Sequence, residues 1–279
     1  MAKRKELKDL TITDDFMFGA VMRNPKRCKP LLEMILKKKI KDIKYPEIQK
    51  TIDERYDSKG IRLDVYVEDD EQTVYNVEIQ TTSSRFLPKR IRYYRGMIDI
   101  NILGKGESYK KLKQSFVIFI CTYDPYGKKR YVYTFENRCL EDFEISLGED
   151  VQIIVLNTKG EVGDISNDLK ELLHYMDGKL PQSEYTKEID ADVEAVKADE
   201  DRRREYMMMV ERDRNNIELG DYKRMVRIVR SNRTKRTVDE LADLLEETMK
   251  TITLIVAKID EHPDWDDEEV AEDVIEETE

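Results

Sequence analysis

Along the first 185 residues the apolar positions change period several times. Phe16, Phe18, Val21 and Met22 follow Asp14 and Asp15 at helical spacing, with Thr13 or Asp14 placed to cap the first turn. Pro25 opens a second helical pattern, Leu31, Leu32, Ile35 and Leu36, which ends in Lys37-Lys38-Lys39. Short β-like runs follow at 40–44, 62–68, 73–80, 115–122, 130–135 and 151–156. The run 116–121 is almost continuously apolar and predicts a central strand covered on both faces. Residues 63–67 alternate instead, with Leu63, Val65 and Val67 on one side and Asp64 and Tyr66 on the other. A long helical segment, 87–103, separates the third and fourth runs and closes on Gly104-Lys105-Gly106. This order predicts one α/β layer structure over 1–185, a mixed and only partly parallel sheet flanked by helices.

Beyond about residue 181 the strand signal stops. Residues 190–209 read as a polar helical connector, and Leu241, Leu244, Leu245, Ile252, Ile255, Val256 and Ile259 recur at helical spacing. The expected second region is therefore an acidic, α-helical 186–279. Residues 237–258 have a faint helix-turn-helix outline. The turn lacks Gly and its surroundings are acidic, so a pair of helices that packs or self-associates is expected, and with it a homo-oligomer. The last 20 residues, 260–279, hold 12 acids and no base; they predict a solvated tail or a terminal helix anchored by Trp265.

Charge changes the picture of partners. The net charge of −11 conceals an asymmetry: residues 1–140 contain 30 Lys plus Arg against 20 Asp plus Glu, and 141–279 contain 19 against 40. A +10 segment beside a −21 segment predicts a basic interaction surface on the amino-terminal domain and an acidic appendage. No apolar run approaches the ~20 residues of a membrane span, and the amino terminus has no apolar signal core. Three cysteines without metal-like spacing suggest a reducing cytoplasm. Two histidines, His174 and His262, lack the company that a zinc site or a Ser-His-Asp triad requires.

The most informative segment is 61–80. Two β-like runs flank Asp69-Asp70-Glu71-Gln72, and a turn centred near residue 71 sets Asp64 opposite Glu78. Alternation then puts Asp64, Glu78 and Gln80 on one face and Leu63, Val65, Val77 and Ile79 on the other. Two opposed carboxylates repel, a penalty that a divalent cation removes. Mg²⁺ prefers such hard oxygen ligands. A polar exposed hairpin with a different register is the plainer alternative.

These residues resemble the PD-(D/E)XK nuclease superfamily, in the branch of PD-(D/E)XK family transposases and Rpn-type recombination-promoting nucleases. The likeness rests on Arg62-Leu63-Asp64-Val65, then Glu78-Ile79-Gln80, in order with three further features. These are the opening from Leu10-Thr11 to Phe18, the basic-aromatic stretch from Arg85-Phe86 to Tyr94, and Gly104-Lys105-Gly106-Glu107-Ser108-Tyr109 before the apolar strand. The resemblance covers roughly residues 7–185. It implies a restriction-endonuclease-like core and Mg²⁺-dependent (or Mn²⁺-dependent) endonucleolytic hydrolysis of DNA. It further implies Asp64, Glu78 and the Ile79 carbonyl as metal ligands, Asp64, Glu78 and Gln80 as catalytic residues, and Asp15 as a supporting contact. The superfamily's third position is usually Lys; Gln80 cannot act as a general base, so a catalytically weak or inactive DNA-binding or protein-interaction module is the alternative. Arg85, Lys89 and Arg92 fall on one helical face and, with Arg90 and Tyr94, are the expected DNA contacts.

Overall fold

A computed structural model of the chain describes residues 5–44, 47–52 and 61–278. It divides into two compact units, residues 1–202 and 203–279. The first unit begins with α1 (Asp15–Met22) and α2 (Pro25–Leu36). Six strands follow: β1 (Glu47–Ile52), β2 (Ile61–Glu68), β3 (Val74–Gln80), β4 (Ser115–Cys121), β5 (Val132–Phe135) and β6 (Val151–Asn157). Between β3 and β4 runs α3 (Leu87–Ile102), and after β6 come α4 (Asn167–Met176) and α5 (Glu184–Ala198).

The strands form one mixed sheet in the order β1-β2-β3-β4-β6-β5. The pairs β1-β2, β2-β3 and β5-β6 are antiparallel, and β3-β4 and β4-β6 are parallel. Antiparallel partners need only a turn, whereas the parallel step from β3 to β4 needs a crossover, and α3 supplies it. Every residue of β3 and β4 is buried, as the continuous apolar run predicts for strands covered on both sides. One face carries Tyr66, Val74, Val117 and Phe119 against Leu87, Ile91, Tyr94, Met97 and Ile98 of α3. Elsewhere α1 packs on β2 and β1, and it is joined to α2 and α5, which both pack with α4.

Three local readings differ from the structure. Residues 40–44 make only an isolated bridge, Ile43 to Asp69, and the strand lies at β1 instead. In EIQKTI only two of six residues are apolar, so this edge strand carries little β signal. The periodicity also passed over α4, whose Leu169, Leu172, Leu173 and Met176 are buried. Finally, the compact unit ends near 202 and not at the change of composition near 185, because α5 buries Thr186, Ile189 and Val193 and packs on α1. That boundary corrects the charge argument. Residues 1–202 contain 36 Lys plus Arg against 38 Asp plus Glu, so the first unit is near neutral and the excess of bases is confined to 1–140.

The second unit contains most of α6 (Glu200–Asn232), then α7 (Val238–Leu245), α8 (Met249–Glu261) and α9 (Asp267–Thr278). Thr237 caps α7 in a reciprocal box with Glu240, and Glu246 turns the chain in the left-handed region at φ 56°. Val226, Val229, Leu241, Ile252, Ile255, Ile259, Val270, Ala271 and Val274 form one core. The apolar positions expected to pair two copies are thus used within one chain. The acidic end is a packed helix: Lys258 meets Asp273 and Glu277 at 2.7 Å each, and Arg230 meets Asp267 at 3.0 Å. Among the described residues, no helix is long and apolar enough to cross a membrane.

Two stability predictions follow from this packing. A Cβ on Gly160 would sit 2.6 Å from the Tyr131 Cα, so Gly160→Ala is expected to cost about 1–3 kcal/mol. Urea unfolding should show a lower midpoint at constant slope; an unchanged midpoint would mean that the loop yields freely. Truncation before α9 removes Val270, Ala271 and Val274 from the core. It should abolish cooperative melting of the second unit, and retained cooperativity would show α9 to be dispensable.

Candidate functional site

The site grows out of the β2-β3 turn. The Asp69 carboxylate accepts the backbone N–H groups of Glu71 and Thr73 at 3.0 and 2.8 Å and the Tyr75 hydroxyl at 2.6 Å. Gln72 supplies the left-handed residue at φ 66°. This turn sets the register Glu68↔Val74, Val67↔Tyr75, Tyr66↔Asn76 and Val65↔Val77, which leads Asp64 opposite Glu78. Ladder pairing stops at Val65↔Val77, and the side chains take over the backbone's role. The Asp64 N–H donates to Glu78 Oε1 at 3.1 Å, and the Ile79 N–H donates to Asp64 Oδ2 at 2.9 Å. Each carboxylate therefore satisfies a backbone donor of the opposite strand where the strands part.

Asn76, Glu78 and Gln80 share a face of β3 with Asp64 and Tyr66 of β2, the face that α3 covers. Asp64 is 6% exposed, Glu78 0% and Gln80 8%. Burial and then the Asp64 charge push the Glu78 carboxyl well above its ordinary value, against the opposing pull of Asp64 N–H and Arg90. Arg90 projects from α3 into this group. Its Nη1 donates to Gln80 Oε1 at 2.6 Å, and its Nη2 donates to the Tyr94 hydroxyl at 2.8 Å and to Glu78 Oε2 at 3.3 Å. Gln80 Nε2 donates to the Thr82 carbonyl at 2.6 Å. Burial raises the Tyr94 hydroxyl, and the nearby Glu78 charge adds to it.

The structure thus brings Asp64, Glu78, Gln80, Arg90 and Tyr94 together, with Ile79 between the two strands' side-chain bonds. Arg90 and Tyr94 belong to this cluster and not to an outer row. Arg85, Lys89 and Arg92 are exposed, with Arg85 just ahead of α3 and its guanidinium 4.7 Å from the Phe86 ring centre. Tyr93 is 39% exposed while Tyr94 is buried, so the two adjacent tyrosines point apart. Arg95 pairs with Glu149. Asp15 opens α1, the helix that packs on the strand carrying Asp64.

Sequence reasoning missed Asn76 and Tyr123. Asn76 is fully buried, and neither of its amide atoms completes a hydrogen bond, although it lies near enough to Glu78 to favour the charged form. Its even spacing from Glu78 and Gln80 was the available signal. Tyr123 has a buried hydroxyl without a completed bond, beside Cys121 and Arg90.

Chemically, the cluster offers hard oxygen donors, a buried amide left unsatisfied, and two carboxylates against one guanidinium. That donor set fits a divalent cation such as Mg²⁺. Among the described residues no group of three or more His, Cys, Asp or Glu side chains converges, so water and substrate oxygens would have to fill most of a metal's shell.

A family model described as PD-(D/E)XK nuclease family transposase matches residues 15–160, which include every member of the cluster. Neither the curated proteins nor the solved structures yield a match.

The like-charge burial makes a prediction of its own. Without metal, Glu78→Gln should raise stability, since a neutral amide in the same buried place removes the repulsion from the Asp64 charge. Chemical denaturation in a chelator checks it, and a loss of stability would show that the Arg90 pair outweighs the repulsion.

Proposed function

The chain belongs to the PD-(D/E)XK nuclease family transposases, and from that premise we propose that it is a divalent-metal-dependent DNA endonuclease of transposase or recombination-promoting type. The observation that carries the reading is the pair Asp64 and Glu78, opposed across the end of a hairpin, buried, and each accepting a backbone N–H of the opposite strand, Glu78 from Asp64 and Asp64 from Ile79. An inert scaffold gains nothing from burying two repelling carboxylates. Asp64 and Glu78 would hold Mg²⁺, or Mn²⁺ in its place, with the Ile79 carbonyl as a third protein ligand and Asp15 as a supporting contact. When bound, such an ion acidifies water and neutralises charge developing on phosphorus.

The remaining residues bind and orient. Arg85, just ahead of α3, and Lys89 and Arg92 on its exposed side are the proposed phosphate contacts that set the duplex over the carboxylates. Such contacts position DNA without reading its sequence. The three free cysteines, two of them buried, suit a reducing compartment, and we assign the cytoplasm. A second reading has one specific observation in its favour. Both ends of the Gln80 amide are already bonded, to Arg90 and to Thr82, so Gln80 has little to offer an attacking water. Weak cleavage, with the chain acting mainly as a DNA-binding or protein-interaction module, follows from that.

A plasmid-nicking assay separates the two. Wild type should nick in Mg²⁺ or Mn²⁺ and stop in EDTA, and Asp64→Ala should lose at least about 100-fold. Equal nicking by both proteins contradicts the site, and binding without nicking in any metal supports the second reading. For the basic row, Arg85→Ala/Lys89→Ala/Arg92→Ala should reduce the slope of log affinity against log salt by about 0.9 per lost phosphate contact; an unchanged slope makes these residues a solvated face.

A further inference from the structure

We propose that Arg90 is the phosphate-binding cation of this site and that Gln80 is its positioning residue; the proposal rests on the reading of Asp64 and Glu78 given above. The strand position that usually carries Lys holds Gln80, and its amide is bonded at both ends. Its oxygen accepts from Arg90 at 2.6 Å and its nitrogen donates to Thr82 at 2.6 Å. The positive charge missing from β3 is present in the same place, supplied from α3.

The guanidinium is held on several sides. Gln80, Tyr94 and Glu78 accept three of its N–H groups, and the rings of Tyr94 and Phe119 lie 4.9 and 5.6 Å from its central carbon. A guanidinium has five N–H donors, so two remain. The Arg90 side chain is 38% exposed, whereas Glu78 beneath it is 0% exposed, so the cation joins the buried carboxylates to the solvent-facing side where a substrate must approach. The two that remain lie on Nη1 and on Nε, so a guanidinium held in this way offers a fixed charge and two separate donors to the non-bridging oxygens of a phosphodiester, where a flexible ammonium would not be fixed.

The exchange of Lys for a Gln–Arg pair changes what the site can do. Arginine stays protonated in proteins and cannot serve as a base. In hydrolysis the water oxygen bonds to phosphorus, one P–O ester bond breaks, and the departing oxygen ends protonated by a proton of water origin. Arg90 takes no part in that proton traffic. It stabilises negative charge on the phosphoryl oxygens as the bond order shifts. Gln80, a neutral acceptor, holds the fork in place without adding a third negative charge to the pair below it.

The test moves the cation back. Wild type, Asp64→Ala, Arg90→Lys, Arg90→Ala and Gln80→Lys/Arg90→Ala are compared for nicking in Mn²⁺, for Mn²⁺ affinity by electron paramagnetic resonance, and for melting. Arg90→Ala should nick at least about 100-fold more slowly while its Mn²⁺ affinity stays within about threefold, and Arg90→Lys should fall between it and wild type. Lysine at position 80 in the Arg90→Ala background should restore at least about tenfold. Nicking by Arg90→Ala within about threefold of wild type overturns the proposal, as does a defect that tracks lost Mn²⁺ binding and is not restored by the lysine. Should Arg90→Ala fail to melt cooperatively, Arg90→Lys and the double variant decide in the same way. If Asp64→Ala nicks like wild type, the reading beneath the proposal fails. If only Asp64→Ala is impaired, the Arg90 assignment fails alone. Should wild type itself not nick, duplex binding in Ca²⁺ decides: Arg90→Ala must lower the salt slope by about one, and an unchanged slope overturns the assignment.

Discussion

Two carboxylates face each other where β2 and β3 part, and most of the first unit serves to hold them there. Left to itself such a pair would separate, since each charge is removed from water and each repels the other. The hairpin register prevents this, because shifting β2 by one residue would turn Asp64 to the opposite face. The register in turn depends on the Asp69 turn, and the burial of both faces depends on the parallel pairing of β3 with β4 and on the α3 crossover. Glu78 and Asp64 also replace the ladder bonds that the parting strands give up, so the same side chains that carry the charge hold the backbone.

The helix that closes this face has two functions along its length. Leu87, Ile91, Tyr94, Met97 and Ile98 bury against the sheet, and this stripe fixes the rotation of α3 about its axis. That rotation carries Arg90 into the carboxylates and leaves Lys89 and Arg92 outside. One helix thus supplies both a cation inside the site and a basic row beside it. The second unit is a separate helical core whose acids meet its own lysines and arginines, so its negative charge is partly spent within the unit.

Much of this was legible in the sequence because it follows from parity. The strands around Asp64 and Glu78, the centre of the turn and the opposition of the two carboxylates come from alternation and turn length, which are local properties. What escaped depended on tertiary packing. Glu47–Ile52 is a strand because β2 offers it an edge, not because its residues favour one. α5 belongs with the first unit because its few apolar residues meet α1. Arg90 looked like its basic neighbours until the apolar stripe of α3 set its direction. The net charge misled in a similar way, since a sum over residues 1–140 ignores where the chain folds into a unit.

The central claim is that Asp64 and Glu78 form a divalent-metal site, and ligand-linked stability tests it most directly. A metal that binds only the folded state stabilises by RT ln(1 + [L]/Kd), which is about 2.7 kcal/mol at a hundredfold excess over Kd. Melting of wild type and Asp64→Asn across a Mg²⁺ titration is therefore decisive. Wild type should rise steadily in Tm with Mg²⁺ while Asp64→Asn stays flat. Parallel curves for the two proteins, rising or flat, would contradict the account.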